Sequence, residues 1–145
     1  MIDKKKRFLI IGLGLLGGSY AMGLKKRGHI VSAIDINEAS INYALEKGII
    51  DEGAATADPN LISQADVIIS GLYPKTIVGW ISENQQYFKK NALITDVTGV
   101  KCSIIYKIQE LLREDCEFIG SHPMAGKEVS GVQFADPSIF LPANL

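Results

Sequence analysis

A chain of 145 residues is long enough for one domain that buries roughly two-thirds of its unfolded surface. Hydrophobic residues at 47% and charged residues at 21% exclude a disordered chain, and no apolar run approaches membrane-spanning length. Fifteen basic and sixteen acidic residues, mixed along the chain to a net charge of −1, leave no electrostatic footprint for nucleic acid, and two cysteines with two histidines lack the spacing of a metal or redox site.

Reduced thiols at Cys102 and Cys116 in a cytoplasmic protein are the simplest reading of that composition. At the amino end, Lys4-Lys5-Lys6-Arg7 before an apolar run resembles a secretory leader. The glycines argue against it, since Gly12, Gly14, Gly17 and Gly18 would interrupt an apolar helix four times. Phe8-Leu9-Ile10-Ile11 instead reads as a buried strand. It runs directly into Gly12-Leu13-Gly14-Leu15-Leu16-Gly17, and a helix continues to about Arg27. In a strand-turn-helix of this kind Gly12 turns the chain off the strand, Gly14 lets a pyrophosphate approach the backbone, and Gly17 lets the helix pack closely on the sheet. The helix amino terminus then presents free N–H groups and its positive dipole end to the phosphates.

Gly28 is a candidate helix stop, and His29 after it reads as a surface residue. Ile30 to Asp35 is the second predicted strand, with Asp35 ending it 18 positions after Gly17. An acid at about this distance accepts hydrogen bonds from the adenosine ribose, and its charge disfavours the extra phosphate of NADP, so the expected cofactor is NAD. A competing reading makes Asp35 part of a turn leading to the helix cap Asn37. Asn37 to Lys47 is a predicted helix with Ile41, Ala44 and Leu45 on its buried face.

Asp58-Pro59 opens a short helix in the order cap then proline. Val67 to Leu72 reads as a central strand, and Tyr73-Pro74 ends it, so that Leu72, Tyr73 and Pro74 face the cofactor crevice before a helix carrying Ile77, Val78 and Ile81. Ala92 to Asp96 is a further strand. Lys101 to Glu114 fits a helix whose Ile104, Ile105, Ile108, Leu111 and Leu112 recur at spacings of three and four, which marks core. Glu117 to Gly120 reads as a further short strand. Alternation of strands and helices predicts an α/β fold, a doubly wound parallel sheet of the Rossmann type, over residues 1–145.

At Gly120-Ser121-His122-Pro123-Met124-Ala125-Gly126 and the following Lys127-Glu128-Val129-Ser130-Gly131, the chain resembles the prephenate dehydrogenases, including their arogenate-using relatives. The glycine motif through Ser19, Asp96-Val97-Thr98-Gly99-Val100-Lys101 and the His-Pro-Met-Ala-Gly segment stand in the family's order and spacing. The resemblance implies NAD-dependent oxidative decarboxylation of prephenate to 4-hydroxyphenylpyruvate, a step towards tyrosine. It also implies a homodimer and a helical substrate domain, with a substrate-carboxylate arginine, that is absent from these residues. A chain without that domain is expected to turn over prephenate poorly or not at all. A non-catalytic NAD-binding module and another NAD-dependent reductase of the same fold are the competing readings.

Within that resemblance His122 is the expected catalytic base. It follows the carboxyl end of a predicted strand, where ligands of such sheets bind, and an imidazole suits removal of a hydroxyl proton near neutral pH. Family members commonly carry a serine where this chain has Gly99, leaving Thr98 or Ser121 as the candidate source of a substrate-contacting hydroxyl. Glu128 matches an acidic position near the substrate entrance in some relatives.

Overall fold

The computed structural model describes residues 5–120. The first half comprises β1 (Arg7–Ile11), α1 (Leu15–Lys26), β2 (Ile30–Ile34), α2 (Glu38–Glu46) and β3 (Glu52–Ala54). The second comprises α3 (Pro59–Gln64), β4 (Val67–Ser70), α4 (Pro74–Asn84), β5 (Leu93–Asp96), α5 (Cys102–Leu111) and β6 (Glu117–Ile119). All strands pair in parallel, in the order β3-β2-β1-β4-β5-β6. The expected doubly wound architecture is therefore present.

Strand alternation divides the core between the two faces of the sheet. Register sets Leu9 beside Ile68, Ile68 beside Ile94, and Ile94 beside Phe118, making one apolar row across four strands. That row packs with Leu61 and Ile62 of α3, Ile77 and Ile81 of α4, and Ile108 of α5. On the other face Ile10, Val31, Ala33 and Ile69 pack with Ala21 of α1 and with Ile41 and Ala44 of α2. Full burial of an isoleucine stabilises by about 1.5–3 kcal/mol, so these rows fix which residue of each strand faces which helix layer.

Local chemistry starts the helices where the sequence expects. The Asn37 side chain accepts from the Ala39 and Ser40 N–H groups at the start of α2, and Asp58 accepts from Asn60 before Pro59 opens α3. Several boundaries differ. The strand expected to run to Asp35 ends at Ile34, and the one expected to reach Leu72 ends at Ser70. The helix expected to reach Glu114 stops at Leu111, because the Gln85 side chain donates to Leu111 O and accepts from Arg113 N, replacing the next helical bonds. Leu45 is 41% exposed rather than core. His29 is half-buried, accepting from the Lys6 N–H at Nδ1 and packing edge-on against Phe8, rather than a bare surface residue.

Strand β3 is the element that the sequence reading leaves undelimited. Its middle residue must be small. A Cβ at Gly53 would lie 2.7 Å from Cγ2 of Ile41, the residue through which α2 packs on this edge of the sheet.

Candidate cofactor site

The strand order reverses between β1 and β4, and in open sheets of this kind ligands bind in the crevice outside the carboxyl ends at that point. Gly12 leaves β1 with φ +88, a conformation natural to glycine, and its N–H donates to Ile34 O at 2.8 Å. Gly71 comes off β4 against it. The Gly71 N–H donates to Ile11 O at 2.7 Å, and a Cβ on Gly71 would lie 2.9 Å from the Gly12 carbonyl oxygen. The two chain exits are thus in backbone contact, a role for Gly71 that the sequence reading missed.

The other motif glycines divide by what surrounds them. A Cβ on Gly17 would collide with the Gly12 carbonyl oxygen, so the turn and α1 fit only if position 17 is bare. A Cβ on Gly14 would meet nothing within 4 Å. Among the described residues no atom requires Gly14 to be glycine, and its open side suits a group that approaches the backbone. Gly14 also caps α1 without a side-chain hydrogen bond, and the first helical bond runs from Gly18 N to Gly14 O. The first-turn N–H groups at Leu15, Leu16 and Gly17 therefore have no helical acceptor and suit an anion. The leucines contribute through the backbone, since Leu13 and Leu15 are buried and Leu16 packs against the core.

Asp35 follows β2 directly and is half-buried. Its Oδ2 accepts from the Leu13 N–H at 2.7 Å and its Oδ1 from the Asn37 N–H at 2.8 Å. The turn reading is borne out, since Oδ1 holds the Asn37 N–H, and the same carboxylate also stands beside the glycine turn. A carboxylate has about four lone-pair sites, so acceptor capacity remains for ribose hydroxyls. Ile36, which the sequence reading passed over, is 93% exposed next to it, and Tyr73 at the start of α4 is 80% exposed. Exposed large apolar side chains at two strand exits suit the flat face of a base. Leu72 is fixed between them and the next strand, its N–H bonded to Ser70 Oγ at 3.1 Å and its carbonyl accepting from Thr98 Oγ1 at 3.3 Å. Pro74 opens α4 at a position where its missing N–H costs nothing.

At the end of β5, Asp96 is 0% exposed. Its Oδ2 accepts from the N–H groups of Thr98, Gly99 and Val100 at 3.0, 2.8 and 3.2 Å, which curls the chain into a turn. Gly99 lies in that turn at φ +75, so the backbone at this position favours glycine over serine. The Thr98 hydroxyl stands within reach of both Leu72 O and Asp96 Oδ2 and directs its proton inward. Ser121, His122 and Glu128 lie outside the described residues.

Among the described residues no group of three His, Cys, Asp or Glu side chains could hold a metal, and no helix is long and apolar enough to cross a membrane. The family described as prephenate dehydrogenase, nucleotide-binding domain, matches residues 20–144. A prephenate dehydrogenase of Bacillus subtilis is 34% identical over 142 residues, covering 97% of this chain and 38% of that relative. The crystal structure of prephenate dehydrogenase from A. aeolicus in complex with hydroxyphenyl propionate and NAD+ superposes with a TM-score of 0.84 at 29% identity, covering 97% of this chain and 49% of that one. Synechocystis arogenate dehydrogenase superposes with a TM-score of 0.80 at 28% identity, covering 90% of this chain and 45% of that one. The chain thus spans less than half the length of these relatives.

Proposed function

The chain belongs to the prephenate dehydrogenase nucleotide-binding domain family, and from that premise we propose that it supplies the NAD-binding domain and the catalytic base of an enzyme that oxidatively decarboxylates prephenate or arogenate. The observation that carries this reading is the convergence, at the carboxyl ends of β1 and β2, of the open side of Gly14, the first-turn N–H groups of α1 that lack a helical acceptor, and the Asp35 carboxylate. These groups fit a dinucleotide: the pyrophosphate over Gly12 to Gly17, the adenosine ribose on Asp35, and the base against Ile36 and Tyr73. When bound, NAD supplies the hydride acceptor.

The chain's own residues then hold and deprotonate the substrate. His122 takes the proton from the hydroxyl of the carbon that loses hydride, while the hydroxyl of Thr98 or Ser121 and the carboxylate of Glu128 orient the substrate. Loss of the ring carboxylate as CO2 leaves an aromatic ring, so the reaction is strongly downhill and the protein mainly positions. The helical substrate and dimerisation domain of the family completes the site. The test is NADH formation on adding prephenate or arogenate at saturating NAD. In protein that turns over substrate, His122→Asn is expected to lower kcat by about a hundredfold to ten-thousandfold, to abolish the acid limb of the pH profile and to leave NAD affinity within about twofold. An unchanged acid limb would assign the proton to another group.

A further inference from the structure

The acid that reads the ribose in the proposed NAD site is also wired into the turn that holds the phosphates. Asp35 is itself anchored, its N–H donating to Ala54 O of β3 at 3.1 Å. From that anchor its Oδ2 holds the Leu13 N–H at 2.7 Å, and its Oδ1 holds the N–H of Asn37, whose side chain caps α2. The turn is also held by the Gly12 N–H on Ile34 O and by the buried Leu13 side chain, and the carboxylate adds a hold on the Leu13 N–H just before Gly14, which brings no side chain to cap α1.

We infer that Asp35 is a positioning residue for the glycine turn as well as a ribose acceptor, so that specificity for NAD over NADP and the shape of the phosphate site depend on one carboxylate. The ribose part of this rests on the NAD reading above; the brace does not. Removing the carboxylate then has two opposed effects on any anion over the turn. Loss of the negative charge favours anion binding, whereas loss of the acceptor frees the Leu13 N–H and lets the turn sample conformations that do not bind, which lowers apparent affinity in proportion. A variant that admits NADP must therefore keep an acceptor for Leu13. Asparagine can do so, its one amide oxygen turned to the Leu13 N–H at the cost of the Asn37 contact, and without charge. Alanine does not.

The experiment compares the 145-residue chain with Asp35→Asn and Asp35→Ala, using inorganic pyrophosphate as the probe because it reaches the turn without a ribose. Asp35→Asn is expected to bind pyrophosphate more tightly than the unaltered chain, and Asp35→Ala roughly three- to tenfold more weakly than Asp35→Asn, the worth of one neutral hydrogen bond. In the free protein the Leu13 amide should exchange hydrogen several-fold faster in Asp35→Ala than in Asp35→Asn, with the fully buried Leu9 of β1 unchanged. Equal pyrophosphate affinity with equal Leu13 exchange in the two variants overturns the brace, as does a general loss of protection that includes Leu9. An unaltered chain that binds neither NAD nor pyrophosphate overturns the cofactor reading instead, and Leu13 exchange still decides the brace.

Discussion

Asp35 and Asp96 stand at equivalent places, each at the carboxyl end of a parallel strand beside a glycine turn, yet their surroundings assign them different work. Asp96 is wholly buried and its Oδ2 takes three successive backbone N–H groups of its own turn. Asp35 is half-exposed and, among the described residues, accepts one N–H at each oxygen. The carboxylate enclosed by its own backbone builds the fold. The one with lone pairs left over, at the point where the strand order reverses, is available to a ligand. Residue type and position along a strand do not separate the two; burial and the count of local donors do.

The largest expected effect tests the buried member of this pair. Asp96→Ala would leave three N–H groups without their acceptor, at about 1–3 kcal/mol for each buried group and less than additively. Urea unfolding is expected to show a loss of about 3 kcal/mol or more, against about 1 kcal/mol for Asp35→Ala. Equal losses would erase the distinction. The glycine motif offers the same contrast within one turn. Gly17→Ala drives a Cβ onto a backbone carbonyl that has little room to move and should cost about 1–3 kcal/mol of stability. Gly14→Ala should change stability by less than about 0.5 kcal/mol while weakening NAD binding, read by urea midpoint and titration of the same samples.

The smallest effect lies at the opposite, amino end of the sheet. Burial opposes ionisation of Asp51, but the Lys25 ammonium and the Val31 N–H outweigh it and hold its carboxyl below the usual carboxylate range. Burial likewise opposes ionisation of Asp66, and the Arg7 N–H with Lys89 outweighs it. A folded-state pKa below the unfolded value near 3.9 gives stability that is complete above about pH 4 and lost as pH falls through the folded value. Because the paired side chains are between about one-third and one-half exposed, each pair contributes at most about 1 kcal/mol. Thermal melts of Asp51→Asn with Asp66→Asn should therefore lose part of the unaltered chain's decline below pH 4 and keep the same NAD affinity.

Long periodic segments made most of this fold legible, as with the apolar runs of β1 and β4 and the spacing of Ile104 and Ile108. Strand β3 was not legible. Glu52-Gly53-Ala54 carries no β-branched or aromatic residue, and it pairs as an edge only because Gly53 makes room for Ile41. The end of α5 was hidden for a related reason, since the groups that stop it belong to Gln85, 26 residues earlier than Leu111. In the site, the turn at Gly12 and the close packing at Gly17 could be read from spacing along the chain, as could the placement of Gly14 and Asp35 beside that turn. The roles of Gly71, Ile36 and Asp96 depend on what approaches them in space. A serine-glycine pair at a strand exit and an aspartate two residues before a threonine-glycine turn were the available signals, and each is weak alone.

The proposed cofactor site requires Asp35 to face a ligand, whereas Asp96 serves the fold. Calorimetric titration of the chain with NAD and then with NADP tests it most directly. NAD is expected to bind at least tenfold more tightly, because the carboxylate accepts from the ribose hydroxyls and repels a phosphate placed there. Equal affinity for the two cofactors, or binding of neither, would contradict it.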